Sequence, residues 1–219
     1  MQEAHHVPTR LTFRSTMRTR VAIAAGTSVA VAALVFTLGS VANAATLFSD
    51  DFNDGNANGW TTSGGTWSVS SGVYSQAGTS ASAKALAGST SWTTMTASAR
   101  VRVNSFSATS SSRGLGIAAR AQSTSSFYAL MLTPNSVQIR KGATTVLASA
   151  SFSTATGTFY TLSLSATGGS LVGSVNGSQV VSTSDSSFAT GRVGLIANFA
   201  AGSFDDVLVT DAAGPSPSS

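Results

Sequence analysis

The stretch FYTLSLSATGGSLVGSVNGSQVVST, residues 159–183, decides the fold. Leu162 and Leu164 alternate with Ser163 and Ser165, the period of a strand with one buried face. Gly168-Gly169 and Asn176-Gly177 then separate three such runs, and Asn-Gly between alternating strands is the strongest short-range hairpin signal. Residues 159–167, 170–176 and 178–183 are therefore predicted as consecutive antiparallel strands. The same period extends in both directions. Towards the N-terminus lie TWSVS (66–70), VYSQ (73–76), TASARVRV (96–103), GLGIAARAQ (114–122), FYALMLT (127–133), SVQIRK (136–141) and TVLASASF (145–152). Towards the C-terminus lie RVGLIANF (192–199) and SFDDVLVT (203–210). No window carries a 3.6-residue apolar stripe long enough for a substantial helix. Short strands joined by tight turns predict an all-β antiparallel sandwich. Phe106, Phe152, Phe159, Phe188, Phe199 and Phe204, with Leu162, Leu164, Val193, Leu195 and Val207, are expected to fill its core.

The ends read differently. Residues 21–38, VAIAAGTSVAVAALVFTL, are apolar, follow Arg10, Arg14, Arg18 and Arg20, and lead into GSVANA. A basic region, an apolar region and small residues at Ala42 and Ala44 predict a signal peptide over 1–44, cleaved after Ala44, and a secreted, extracellular protein. The other reading is an uncleaved anchor, because 18 apolar residues approach the membrane-spanning minimum; the A-N-A site favours cleavage. Arg18 and Arg20 are separated by Thr19, so the twin-arginine pattern is absent. MRTR plus the apolar run would make a complete signal alone, which makes Met17 an alternative start. Residues 45–211 are expected to form the sandwich domain and 212–219 a linker-like, disordered tail.

The formal charge of +4 suggests nucleic acid until its position is read. From residue 45 onward eight Lys or Arg face seven Asp, leaving +1, and no basic patch for a phosphate backbone. Neither a nucleic-acid partner nor, after cleavage, a membrane is expected. There is no cysteine, so core packing replaces the disulfides common in exported domains.

Four segments carry a resemblance: DDFNDGNANGWTTSGGTWSV (50–69), FYALMLTPNSVQIRKGATTVLAS (127–149), residues 159–181, and GRVGLIANFAAGSFDDVLVT (191–210). Together they are similar to the concanavalin A-like, laminin-G-like jelly-roll domains of secreted bacterial polysaccharide-degrading proteins, which accompany pectate lyases and glycoside hydrolases. The markers are the opening DDF-D-G-x-x-x-G-W and the closing G-x-V-G-L…F-D-D-V. The resemblance implies a jelly roll and a polysaccharide or oligosaccharide partner, but no activity, because the fold hosts lectins, binding modules, lyases and hydrolases alike.

Composition discriminates among those. The chain after residue 44 contains no Glu and no His. Hydrolases of this fold resemble paired-carboxylate enzymes using Glu, and its lyases resemble a Gln-x-His strand with Tyr and Arg partners. Neither pattern is present. A Ser-His-Asp triad and His-ligated metal hydrolysis are equally unavailable. The reading is a monomeric carbohydrate-binding, lectin-like domain without catalytic residues. Its alternatives are a polysaccharide lyase on uronate glycans, with Tyr128 as base and Arg120 or Arg140 neutralising the uronate, and an extracellular structural or adhesive protein.

Trp92, in the loop-like GSTSWTT, is the expected exposed aromatic contact, whereas Trp60 and Trp67 are expected in the core. Arg120, Tyr128, Gln138, Arg140 and Asn198 lie on central-looking strands. If Ile117, Ala119, Val137 and Ile139 face inward, Arg120, Gln138 and Arg140 share the outer face and can bind an oligosaccharide. The other reading is an ordinary solvated sheet face. Asp50, Asp51, Asn53 and Asp54 form an acidic loop, and Asp205 and Asp206 lie in the last strand. Terminal strands of a sandwich are commonly neighbours, so hard oxygens from both could hold Ca2+, with Asp51 and Asp206 as side-chain ligands. The resemblance strengthens the idea, because the related domains often carry one structural calcium between these segments. Otherwise these residues cap turns and face solvent.

Overall fold

The computed structural model describes residues 44–211; the expected signal segment up to residue 43 and the tail from residue 212 lie outside them. Fifteen strands run in this order: β1 Thr46–Asp50, β2 Thr61–Ser63, β3 Trp67–Ser70, β4 Val73–Gln76, β5 Ser82–Ala87, β6 Met95–Phe106, β7 Gly114–Ala121 and β8 Tyr128–Leu132. There follow β9 Ser136–Lys141, β10 Thr145–Ser151, β11 Phe159–Thr167, β12 Ser170–Val175, β13 Ser178–Ser184, β14 Arg192–Asn198 and β15 Ala200–Thr210. They form two antiparallel sheets. One has the order β13-β12-β11-β6-β15-β4-β3, with β1 also paired to β15; the other has the order β10-β9-β8-β7-β14-β5-β2. The three strands read first from residues 159–183 are β11, β12 and β13, adjacent as predicted.

Three strands escape the sequence pattern. β2 has three exposed residues and no apolar signal. β1 alternates only weakly. β5, SAKALA, buries Ala83, Ala85 and Ala87, which are too small to stand out as an apolar period. All three pair with longer strands, which supply the ladder that their own residues do not specify.

The core lies between the sheets. Val101, Leu162, Leu164 and Phe204 from one sheet meet Leu115, Ile117, Leu130, Ile139, Val193 and Leu195 from the other. Of the expected phenylalanines, Phe204 is fully buried, and Phe106, Phe152 and Phe188 are half-buried against the core. Phe159 and Phe199 depart from expectation. Phe159 lies beneath two guanidinium groups, Arg100 at 4.5 Å and Arg102 at 4.6 Å from its ring centroid. Phe199 occupies a left-handed turn residue (φ 49°) between β14 and β15 and is half-buried. Phe52, Met95, Phe127 and Tyr128 take their places as large buried side chains. Trp60 and Trp67 pack partly buried against the core, near the expectation.

A second apolar cluster, Leu86, Ala118, Ala121, Phe127, Ala129, Met131 and Ile196, lies on the other side of the β10-to-β2 sheet. Register fixes which polar residues share that side. Gln138 is opposite Met131, and Arg140 is opposite Ala129. Ile196 is opposite Lys84, and Asn198 is one alternation further along β14. Gln138, Arg140 and Asn198 therefore project from the outer face, as the alternation predicts.

Candidate functional site

The outer face carries a cleft of about 500 Å³ at the β9 end of the sheet. β9 contributes Gln138 and Arg140 to it. The loop before β7 adds Ser111, Ser112 and Arg113, the β8–β9 turn adds Thr133, Pro134 and Asn135, and Thr144 and Val146 close the far side. Val146 is directly opposite Arg140 in register and is 48 % exposed, an apolar surface beside a cation.

The floor is a chain of hydrogen bonds. Thr133 Oγ1 and Ser136 Oγ lie 2.7 Å apart, Gln138 Nε2 donates to Ser136 Oγ at 3.0 Å, and Arg140 Nε donates to Gln138 Oε1 at 2.8 Å. Arg140 Nη1 donates to the carbonyls of Ser112 (2.7 Å) and Ala143 (3.0 Å), so the guanidinium is locked to both flanking loops. Asn198 Nδ2 donates to the same Ser112 carbonyl at 2.6 Å. Asn198 is buried and does not line the cleft; it holds the cleft loop from behind. Arg140 is 2 % exposed, and burial pushes its pKa down from the usual arginine value.

Three expected contacts lie elsewhere. Alternation places Arg120 beside Arg140, because Ile117 and Ala119 do face the core. The register against β14 shifts between Ala118 and Ala121, and Arg120 adopts a left-handed backbone (φ 51°). A bulge inserts a residue and resets the alternation. The guanidinium consequently turns towards the carbonyls of Thr93 (2.8 Å), Gly168 (2.7 Å), Phe188 (3.2 Å) and Ala166 (3.2 Å). It ties loops of both sheets together and is 2 % exposed.

Tyr128 faces the core with no exposed surface. Its hydroxyl donates to Asp185 Oδ1 at 2.5 Å and accepts from the Phe188 amide at 3.0 Å. Burial first, and the bond to Asp185 second, push its pKa above the ordinary phenol value. Of its two partners in the lyase reading, Arg140 points out of the opposite face of the sheet, and Arg120, although close by, is enclosed by four main-chain carbonyls and 2 % exposed. A phenol enclosed in the core and already donating to Asp185 is out of reach of a polysaccharide chain and its protons. That lyase arrangement is not assembled.

Trp92 is half-buried and packed against the core rather than projecting as a platform. Its ring covers Gly88, where an added Cβ would come within 2.0 Å of the indole. Glycine at position 88 (φ +87°) provides the space the ring fills.

The acidic segments meet as expected, because β1 pairs with β15. Asp50, Asp51, Asp54 and Asp206 line a cleft of about 530 Å³. Both oxygens of Asp50, and one oxygen each of Asp51, Asp54 and Asp206, are already engaged. Asp50 accepts from Trp60 Nε1 at 2.8 Å and from the Phe52 amide, Asp51 and Asp54 accept from the amides two residues on, and Asp206 Oδ2 is 3.3 Å from Arg100. Among the described residues no three acidic or histidine side chains are grouped to hold a metal. An ion here would draw most of its oxygens from backbone and water.

Sequence reasoning misses Arg113, Asn135 and the serines of the cleft wall. Loop residues follow no period, so nothing in SSSRG or TPN marks them as wall residues.

No protein-family model matches the chain, and no curated protein matches it. Solved structures do. The carbohydrate-binding module CBM66 from Bacillus subtilis superposes with a TM-score of 0.58 and 23 % identity, over 71 % of this chain and 97 % of that one. Domain 4 of AbnA, a GH43 extracellular arabinanase from Geobacillus stearothermophilus solved with arabinotriose, gives 0.57 and 12 % identity over 77 % and 93 %. The Emp47p carbohydrate recognition domain gives 0.58 and 11 % over 79 % and 99 %. The fold is a concanavalin A-like jelly roll. Within that jelly roll, the outer-face cleft is the built polar site: its central cation is held by hydrogen bonds to β9 itself and to the loops on either side.

Proposed function

We propose that this jelly roll is a secreted carbohydrate-binding domain and that the β9 cleft is its sugar site. The observation that carries the reading is the composition of the cleft. It offers oriented polar groups, an exposed Val146 for the apolar face of a sugar ring, and no carboxylate to act as acid or base. Glycosidic cleavage requires a proton donor and an acceptor across the bond. Recognition requires only complementary hydrogen bonds and contact. Two of the structural neighbours named above are described as a carbohydrate-binding module and a carbohydrate recognition domain, and the third was solved with arabinotriose, which supports the same reading.

Without an aromatic platform in the cleft, the affinity expected is micromolar to millimolar, about 4–8 kcal/mol. The test is a pull-down and calorimetric titration against insoluble and soluble polysaccharides, using protein recovered from culture medium. Its intact mass should correspond to Ala45–Ser219, with residues 1–44 removed. Reducing-end and ultraviolet assays on the same mixtures should show no new ends and no unsaturated products. Turnover of any glycan would overturn the binding reading, and a flat response to every glycan would leave the structural or adhesive alternative.

The proposal includes a structural calcium ion between Asp51 and Asp206, supported by their convergence on one cleft. Calcium bound only by the folded chain raises the melting temperature by mass action. Thermal unfolding at millimolar calcium should exceed that in chelator by several degrees, and Asp206→Ala should remove the difference. Equal midpoints for the native chain would remove the ion from the account.

A further inference from the structure

The cations of the domain are not distributed evenly with respect to their partners. Of the eight Lys and Arg after residue 44, Arg100 is paired with Asp205 and Asp206, and Lys141 with Asp185. Arg120 is enclosed by four carbonyls. Arg102, Arg113, Arg140 and Arg192 form no ion pair among the described residues; of these, Arg113 and Arg140 line the same cleft, and none of the seven aspartates lines it with them. Lys84, on the same side of the sheet, is likewise without a carboxylate, and its amine is held only by Ser82 Oγ at 2.9 Å.

Arg140 is the more informative of the pair. Its Nε and Nη1 make three hydrogen bonds, all to neutral oxygens, and Nη2 has no hydrogen-bond partner among the described residues. A guanidinium buried to 2 % exposure without a counter-charge loses hydration that neutral carbonyls only partly replace. An anion entering the cleft would supply the missing charge in a poorly solvated setting, where a charge-assisted bond is strong. Arg113, held by the Ser110 carbonyl at 2.8 Å, adds a second positive group on the wall. Asn135 and Ser111 are exposed beside them and can meet sugar hydroxyls.

From this geometry we infer that the cleft selects acidic glycans, seating the carboxylate of a uronic acid residue between Arg140 and Arg113. The inference rests on the sugar-binding reading and narrows it to one ligand class. A carboxylate fits better than a bare phosphate or a nucleic-acid backbone, because the adjacent Val146 and hydroxyl-facing groups address a sugar ring, while the domain as a whole lacks a basic surface.

The experiment compares polygalacturonate and alginate with the same chains after carboxyl reduction, by calorimetry on protein as purified, in sodium chloride buffer with neither added divalent ion nor chelator, so that no excess ion bridges protein and glycan and none is stripped from the fold. Neutral arabinan, levan and xylan, and a sulfated galactan, complete the panel. Uronate chains should bind at least tenfold more tightly than their reduced forms, and the affinity should fall as salt rises. Arg113→Gln, a half-buried loop substitution, should cost the uronate chains about tenfold and the neutral chains severalfold less. Arg102→Gln, on the outer face of the other sheet, should leave the affinity unchanged. Equal binding of native and reduced chains, or binding of the sulfated galactan alone, overturns the carboxylate assignment while leaving sugar binding intact. Failure to bind any chain overturns both.

Discussion

Arg120→Ala should destabilise the domain by about 3–5 kcal/mol, a large part of the 5–15 kcal/mol typical of a whole domain. The side chain bonds four main-chain carbonyls, at Thr93, Ala166, Gly168 and Phe188, drawn from the approach to β6, the β11–β12 hairpin and the loop before β14. Alanine leaves those acceptors facing a void that the bulged backbone holds open, and buried acceptors without a donor cost far more than the net value of the bonds lost. Arg120→Lys should recover part of the loss, since an ammonium can satisfy some of the four but not the planar spread. Urea unfolding would measure both. A midpoint for Arg120→Ala within about 1 kcal/mol of the parent would show that the cage contributes little. Glycan binding by any folded fraction should be unchanged, in contrast to Arg113→Gln.

Acidification should weaken the domain through Asp185. The Ser187 side chain first, then the Tyr128 hydroxyl, the Ser187 amide and Lys141 hold its carboxyl well below the usual carboxylate range. The folded state thus favours the ionised form, while the unfolded chain takes up a proton near pH ~4. Between those two values the unfolded state binds more protons, so stability decreases as pH falls. The contribution is complete above about pH 4 and disappears as pH drops through the folded value. The carboxylate is nearly buried, 15 % exposed, and it carries the buried Tyr128 hydroxyl. Asp185→Ala should cost about 1–2 kcal/mol at pH ~7 by removing the carboxylate shared by Tyr128 and Lys141, which keep only the Asp185 carbonyl and the Ser187 hydroxyl as acceptors. Asp185→Asn should flatten the acid limb of a stability-against-pH curve between about pH 4 and about pH 2. A parent curve already flat there would contradict the assignment. Tyr128 acts here as a structural donor, so Tyr128→Phe should lower stability modestly and leave glycan binding alone.

Alternation along residues 159–183 and its flanks is enough to identify antiparallel strands, their hairpins and the sandwich. Both depend on near neighbours: side-chain direction repeats every two residues, and Asn-Gly sets its turn locally. The same rule places Gln138, Arg140 and Asn198 on one face. The shared features of the cleft require more. One bulge at Ala118–Ala121 reverses Arg120 by changing parity, and only the pairing of β7 with β14 reveals it. Trp92 reads as an exposed loop residue, whereas its ring packs against the core and over Gly88, a burial that its polar loop neighbours do not signal. Arg113 and Asn135 belong to loops, whose positions follow from the strands they join rather than from their own residue types. Whether a cation is paired, enclosed or left without a counter-charge depends on contacts made across the whole chain, such as Arg100 with Asp205. Residue order determined most of the strands and, away from the bulge at Arg120, which way their side chains point. Tertiary packing decided which arginine holds the fold together and which one faces a ligand, because charge compensation is a property of spatial neighbours.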